Sequence, residues 1–199
     1  MSFKYKEEAQ KVAKHLNISS VSWIGEGEYG AAYETQDGRV LKITSDPNEF
    51  VYSSKLAGHK NENLVDIHDA FFIKDDLFAV VMEKVDTKGV SLLFKALHVE
   101  ADAQHCHITE IDRSNLSFPV PEEAFKLMDG IVKASEQAKS LGIKIDDIHQ
   151  DNVGKRKNGE YVLFDQQIDY KHKELKEEMQ KIKDSFEKAP NLKIKKLAL

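Results

Sequence analysis

Cation-binding side chains are concentrated in residues 143–167, which read IKIDDIHQDNVGKRKNGEYVLFDQQ. The groups concerned belong to Asp146, Asp147, His149, Asp151, Asn152 and Asp165. Carboxylate and amide oxygens are the ligands that Mg²⁺ prefers. The same pattern is typical of a solvated loop that leads into an ordinary hairpin, so this segment alone leaves both interpretations open.

A second candidate is the glycine-rich segment over residues 25–30, GEGEYG. Its members that could contact a nucleotide are Gly25, Glu26, Gly27, Tyr29 and Gly30. Because glycine has no Cβ, such a loop lets the backbone approach phosphate groups closely. A dinucleotide-binding fold needs a helix directly after the third glycine, whereas residues 31–33 continue into a predicted strand. The segment therefore predicts either a plain hairpin turn or a flap over a nucleotide.

Two charged residues follow the glycine-rich segment. Lys42 lies in an apolar stretch, VLKI, where it could face solvent or could place a point charge on the α- and β-phosphates of ATP. Glu49 could pair with Lys42 and hold it in place. The spacing from Asp46 to Glu49 is also that of a capping box, which by itself explains a glutamate at this position.

The elements that would position these groups begin with a β-rich region over residues 1–85. Predicted there are a helix over 4–16, strands on both sides of the glycine-rich segment, a strand over 39–44, a helix from 46 to about 57, and strands near 64–72 and 77–83. The strongest turn signals are Asp37-Gly38 and Asp46-Pro47. They predict a small antiparallel sheet with one inserted helix.

After Val85 the hydrophobic pattern becomes helical. Helices are predicted over 89–98, 121–141 and 171–188, and Asn158-Gly159 predicts a hairpin between two short strands. The apolar stripe of the last helix consists of Leu175, Met179, Ile182 and Phe186. The chain is therefore predicted to be α+β, with a β-rich lobe over 1–85 and a reduced, mainly helical lobe over 86–199.

Composition limits the classes of function. The 199 residues, of which 41% are hydrophobic, suffice for one domain or a small two-lobed unit. A net charge of −5 argues against broad binding to nucleic acid, which needs clustered Lys and Arg. The single Cys106 fits a reducing compartment. The charged N-terminal residues and the lack of a long apolar run predict a cytoplasmic protein with no membrane partner.

The order of these motifs resembles the protein-kinase-like fold. Asp147 precedes Asn152 by five positions, and Asp165 follows Asn152 by thirteen, at the end of an apolar strand. The glycine-rich segment, Lys42 and the strand-to-hinge segment over 82–85 precede them in the same order. The resemblance covers residues 20–167. The chain is similar in particular to the minimal serine/threonine kinases encoded by some bacteriophages, which also have a compact second lobe.

The resemblance implies a role for each site residue. It assigns Asp147 to orient the acceptor hydroxyl and take its proton, and His149 to meet the γ-phosphate of ATP. The implied ligands of Mg²⁺ are Asn152 and Asp165. The implied nucleotide contacts come from the glycine-rich segment, Lys42, Glu49, Glu83 and Val85. ATP and Mg²⁺ would be the cofactors, and a hydroxyl-bearing protein or small molecule would be the acceptor.

The sequence also departs from the family. Ile145-Asp146 replaces the usual His-Arg, and Gln166-Gln167 replaces the usual Phe-Gly. Lys42 and Glu49 are only seven residues apart, which is shorter than usual and puts the role of Glu49 in doubt. Only 34 residues follow Asp165, so the peptide-docking helices of ordinary protein kinases are expected to be absent.

Three hypotheses follow from this sequence. The first is an active protein serine/threonine kinase. The second is a small-molecule kinase of the aminoglycoside or choline type, because those enzymes also place a histidine two residues after the catalytic Asp; residues 100–120 could then form the acceptor pocket. The third is a nucleotide-binding pseudokinase that acts by binding another protein, as Gln166-Gln167 and the short C-terminal region suggest.

Overall fold

A computed structural model of the protein describes residues 4–74, 76–143, 145, 148–164, 171–188 and 195–196. Its helices are α1 (Lys6–His15), α2 (Pro47–Leu56), α3 (Val90–Gln104), α4 (Glu122–Ser140) and α5 (His172–Lys188). Its strands are β1 (Val21–Glu26), β2 (Gly30–Thr35), β3 (Arg39–Thr44), β4 (Ile67–Lys74), β5 (Leu77–Glu83), β6 (Val153–Lys155), β7 (Tyr161–Leu163) and β8 (Lys195–Lys196).

These elements form two compact units. The first unit contains the described residues of 1–61, 66–84 and 167–199, and the second contains those of 62–65 and 85–166. The first unit is built on a sheet with the order β1-β2-β3-β5-β4-β8. Strands β1 to β5 pair antiparallel, and β8 pairs in parallel with β4. The protein is thus α+β, with an antiparallel sheet as predicted.

One face of this sheet forms a hydrophobic core beneath α1. Leu41 and Ile43 of β3 lie opposite Val81 and Ala79 of β5, and all four are buried. Successive side chains of a strand point to opposite faces of the sheet. The side chain of Lys42 therefore lies on the other face, away from this core.

The other face of the sheet is covered by α2 and α5. Phe50 of α2 stacks on Phe78 of β5, with 4.4 Å between the ring centroids, and meets Phe72 of β4 edge-on at 4.5 Å. Together with Ala70 these three residues form the Phe50 cluster. Met179 and Ile182 of α5 pack against it, and the apolar stripe predicted for this helix accounts for the contact.

The second unit is organised around the β6–β7 hairpin. Residues 62–65 line one side of it, because the N–H of Val65 donates to the carbonyl of Leu163 at 2.8 Å. On the other side Asp86 and Lys155 exchange backbone hydrogen bonds of 2.9 and 2.8 Å. Helix α4 packs on β7 and also on α3. The hairpin is therefore held from three directions.

The structure differs from the sequence-based expectations in three places. Helix α5 was assigned to a lobe over 86–199, but it packs in the first unit, because the Phe50 cluster offers its apolar stripe a matching surface. Helix α3 extends six residues beyond the predicted end at 98, and residues 195–196 form a strand that was not foreseen. Along the chain, the first unit gives way to the second after Lys84. In the described part of the chain, no helix combines the length and apolarity required to span a bilayer.

We predict that Gly130→Ala destabilises the protein. Gly130 lies within α4, and an added Cβ would be 2.9 Å from Cβ of Tyr161 and 3.0 Å from its backbone oxygen. The clash should outweigh the helical preference for alanine and cost about 1–3 kcal/mol in the free energy of unfolding, measured in urea. Lys133→Ala, at an exposed position of the same helix, is the control and should change little. Equal stability of the two variants would contradict the packing described.

Candidate functional site

The glycine-rich segment forms a tight hairpin between β1 and β2. The N–H of Gly27 donates to the carbonyl of Gly30 at 2.9 Å. The carbonyl of Tyr29 accepts from the N–H of Ser45 at 2.8 Å and from its hydroxyl at 3.0 Å. The residue after β3 thus fastens the tip of the hairpin. The Tyr29 side chain is exposed, and its hydrogen bond with Glu28 raises the pKa of the phenol.

The three glycines of this hairpin are not equivalent. An added Cβ at Gly30 would be 2.7 Å from the carbonyl oxygen of Ile43, so the pairing of β2 with β3 requires a glycine there. At Gly25 and Gly27 an added Cβ would meet no described atom within 4 Å, and neither residue has a positive φ. The surrounding fold therefore does not account for these two glycines, and the space beside them is accessible to a ligand.

Lys4 is a neighbour of this hairpin that was missed from the sequence. Its Nζ donates to the carbonyl of Glu28 at 2.6 Å and lies 3.5 Å from that of Gly27. The Tyr33 hydroxyl, in turn, donates to the carbonyl of Lys4. A lysine at the first position of a predicted helix carries no motif, so only the tertiary structure reveals the contact.

Lys42 and Glu49 form an ion pair on the α2 face of the sheet. Nζ of Lys42 lies 2.7 Å from Oε1 of Glu49, and the two side chains are 15% and 5% exposed. The short separation that put Glu49 in doubt is sufficient, because only Ser45 and Asp46 connect β3 to α2. At such low exposure, salt screens the attraction much less than at a surface.

The alternative explanation for Glu49, a capping box, would need hydrogen bonds between Asp46 and Glu49, and the capping bonds of Asp46 go to other residues. Asp46 caps α2 by accepting the N–H of Asn48 at 2.8 Å. The backbone N–H of Asp46 donates to the Thr44 hydroxyl oxygen at 3.1 Å. Glu49 lies in the first helical turn, where the helix dipole favours an acid, and its carboxylate contacts Lys42.

The two hinge residues predicted to receive adenine have structural contacts in their own units. The Glu83 carboxylate accepts the N–H of Asp66 at 2.8 Å, and the N–H of Glu83 donates to the carbonyl of Asp66 at 2.9 Å. Val85, in the second unit, packs on Gly154, where an added Cβ would be only 2.2 Å from Cγ2 of the valine. The Glu83 side chain thus fixes the end of β5.

In the second unit, His149 and Asn152 begin the β6–β7 hairpin. Nδ1 of His149 accepts the N–H of Asp151 at 3.2 Å. A ring nitrogen that accepts a hydrogen bond cannot carry the proton, so the neutral ring is protonated on Nε2. The Asn152 side chain is buried, and the backbone carbonyl of Asn152 accepts the N–H of Phe164, the residue before Asp165 in the sequence.

A polar clamp fastens this hairpin to the first turn of α4. The Glu123 carboxylate accepts hydrogen bonds from the Lys155 ammonium and, at 2.9 Å, from the Tyr161 hydroxyl. The bond from Lys155, followed by that from Tyr161, lowers the pKa of Glu123 to about 2. Burial, with Glu123 beside it, raises the pKa of Tyr161.

The connector between α3 and α4, which resisted prediction, is organised by one buried carboxylate. Glu100 accepts the N–H groups of Ser117 and Phe118, both at 2.8 Å, and the Gln104 amide at 2.7 Å. These bonds, led by that from Ser117, lower the pKa of Glu100. From the sequence alone, a buried acid in an amphipathic helix cannot be distinguished from an exposed one. No local pattern therefore predicted this role of Glu100.

The chemistry of these donors fits a magnesium nucleotide. In the first unit, a largely buried ammonium and a glycine hairpin suit phosphate groups. In the second unit, the Asn152 amide oxygen is a hard ligand of the kind Mg²⁺ takes. Asp147 and Asp165 lie outside the described residues, as do Asp146 and Gln166-Gln167. Within the described ranges no three His, Cys, Asp or Glu side chains are grouped to hold a metal.

Comparison with known proteins adds no family to these observations. A scan against protein-family models gives no match, and neither does a search of curated proteins. The function must therefore be argued from the residues themselves.

We predict that Glu49→Gln destabilises the protein by about 1–3 kcal/mol, because Lys42 loses a carboxylate partner in a largely buried position. The double variant Lys42→Met/Glu49→Leu should recover most of this loss, since apolar side chains suit the same space. Unfolding in urea measures both. Wild-type stability in Glu49→Gln would show that the pair carries no coupling.

The Glu123 clamp predicts a pH dependence. A carboxyl whose pKa falls from 4.5 to about 2 on folding adds stability above pH 4.5, and this contribution is lost as the pH falls towards 2. The stability of the wild type should therefore decrease more steeply over this range than that of Glu123→Gln. Glu122→Gln, at the exposed neighbouring position, should keep the wild-type slope. Parallel profiles for the wild type and Glu123→Gln would contradict the clamp.

Proposed function

We propose that this protein is a Mg²⁺- and ATP-dependent phosphotransferase of the protein-kinase-like fold, a minimal protein serine/threonine kinase. The observation that carries the proposal is the Lys42–Glu49 pair beside the glycine hairpin. A buried ion pair rarely stabilises a fold more than apolar residues of similar volume would. Since the Phe50 cluster already holds α2 to the sheet, a task in function accounts better for the pair.

In this proposal each group either neutralises charge on the phosphates or orients a reacting group. Lys42, held by Glu49, places its charge on the α- and β-phosphates, and the backbone of residues 25–30 covers them. Asn152 and Asp165 would hold Mg²⁺, which would supply positive charge to the phosphate groups. Asp147 takes the proton of the acceptor hydroxyl while the hydroxyl oxygen bonds to the γ-phosphorus and the bond from that phosphorus to the β–γ bridging oxygen breaks.

Two features of the hairpin support a nucleotide as the ligand. Gly25 and Gly27 leave open space that the surrounding fold does not require. Ser45 and Lys4 engage carbonyl oxygens at the tip of the hairpin, which restricts its conformations before any ligand binds. A loop restrained in this way loses less entropy on binding than a free one.

A small-molecule acceptor is the second candidate, and His149 favours it. With Nδ1 engaged by the N–H of Asp151, the imidazole can donate only through Nε2. It would give a phosphate oxygen one neutral donor, where typical serine/threonine kinases supply a lysine charge. The ATP requirement and the single cysteine both fit the cytoplasm as its location.

The test combines binding with transfer. Trp23 is the only tryptophan and lies half-exposed on β1, two residues before Gly25, so its fluorescence should report Mg·ATP binding. Transfer of labelled γ-phosphate is measured with mixed cell protein and with a panel of sugars and amino alcohols as acceptors. Asp147→Asn should lower transfer by about 10²–10⁴-fold, and Lys42→Met should weaken nucleotide binding by about tenfold or more.

Matched controls are Asp146→Asn, next to the proposed base in the sequence, and Lys74→Met, an exposed residue of the same sheet as Lys42. Both should remain within about threefold of the wild type. Undiminished transfer in Asp147→Asn would show that the base is misassigned. Binding of Mg·ATP without transfer to any acceptor would favour a pseudokinase, and the lack of binding would overturn the proposal.

A further inference from the structure

We propose that α5 is the element that holds α2 where Glu49 meets Lys42, with Met179 and Ile182 as its positioning residues. The consequence for nucleotide binding rests on the function proposed above, whereas the effect on the ion pair does not. The inference assigns a task to a helix that the sequence had assigned to the other lobe.

The rotation of α2 about its axis determines whether the Glu49 side chain points at Lys42. Glu49 and Phe50 are consecutive, and consecutive residues of an α-helix are about 100° apart around the axis. The rotation that packs Phe50 against Phe72 and Phe78 therefore also directs Glu49 at Lys42. Any change that loosens the Phe50 cluster lets the carboxylate leave the ammonium.

Helix α5 packs against that cluster. Met179 and Ile182 are three residues apart, so they share one helical face, and both contact the cluster. Lys183 of the same helix lies 5.6 Å above the Phe72 ring. At the other end of α2, Nζ of Lys55 lies 3.6 Å from the Glu178 carboxylate. The contacts of α5 thus involve both the cluster and the last turn of α2.

Helix α2 depends on such support. It has ten residues, and isolated helices below about 12–15 residues are marginal in water. Its buried residues, which include Tyr52 and Leu56, show that tertiary packing holds it. A second contact from the same part of the chain reaches this region, because β8 pairs with β4 at Phe71 and Phe72.

The first experiment measures the ion pair without any nucleotide. The rate at which an amine-reactive acetylating reagent modifies Lys42 is followed by mass spectrometry in the full-length protein, with the exposed lysines 133 and 139 as internal references. Met179→Ala/Ile182→Ala should increase the relative rate at Lys42 by about fivefold or more, since the ammonium loses protection. The control Glu177→Ala/Gln180→Ala, with the same spacing on the exposed side of α5, should leave it unchanged.

The second experiment separates positioning from general stability. Affinity for Mg·ATP, read from Trp23 fluorescence, is measured for the α5 double variant with Glu49 and with Glu49→Gln. With Glu49 present, the α5 double variant should bind Mg·ATP about tenfold more weakly than the wild type. With Glu49→Gln present, adding the α5 double variant should cost less than about twofold in affinity, because both changes act through the Lys42–Glu49 contact. The conservative single variant Met179→Leu should bind Mg·ATP as tightly as the wild type does. Thermal unfolding is measured in parallel, and it identifies the part of the binding loss that general destabilisation would cause.

Each outcome decides a different question. If Lys42 keeps its wild-type labelling while the melting temperature falls, α5 is only a stabilising element and the inference is wrong. If no variant, including the wild type, binds Mg·ATP, the proposed function fails while the labelling still decides the role of α5. Should the double variant be unfolded, Ile182→Val is the milder change, and unaltered labelling of Lys42 in a folded Ile182→Val protein likewise overturns the inference.

Discussion

The ion pair between Lys42 and Glu49 is the constraint around which the first unit is arranged. Two opposite charges removed from water cost several kcal/mol each in solvation, and their attraction offsets this only if their distance is held. That distance depends on β3 at one end and on the rotation of α2 at the other. The strand is fixed by its neighbours in the sheet, so the helix is the variable part. The Phe50 cluster and the short β3–α2 connection both restrict it.

In the second unit, hydrogen bonds to two carboxylates hold segments of the chain together. Glu100 folds the connector after α3, and Glu123 fastens the β6–β7 hairpin to α4. Both carboxyls have lowered pKa values, so folding favours their charged forms and both contributions weaken in acid. The β6–β7 hairpin that follows Asn152 is thus held in part by polar contacts that pH can change.

The sequence predicted those elements whose signals are local. The Asp37-Gly38 turn and the Asp46-Pro47 helix start located β2, β3 and α2 within one or two residues, since turn and cap chemistry involves only neighbours in the chain. The apolar stripe correctly predicted that α5 is a helix. Amphipathicity shows that one face of a helix is buried, but it does not show what covers that face. Glu100 and Lys4 escaped prediction because their partners are 17 and 24 residues away.

The candidate site shows the same division between local and distant information. Glycines mark the hairpin in the sequence, but only the structure shows that the fold requires Gly30 and not Gly25 or Gly27. The pairing of Lys42 with Glu49 was an expectation from resemblance that a competing local explanation weakened, and it is formed. Glu49 had two explanations, and the one that involves Lys42 of a neighbouring strand is tested by whether the two side chains are in contact. For Glu49 the observed contact is a largely buried ion pair, which rarely stabilises a fold more than apolar residues of similar volume would.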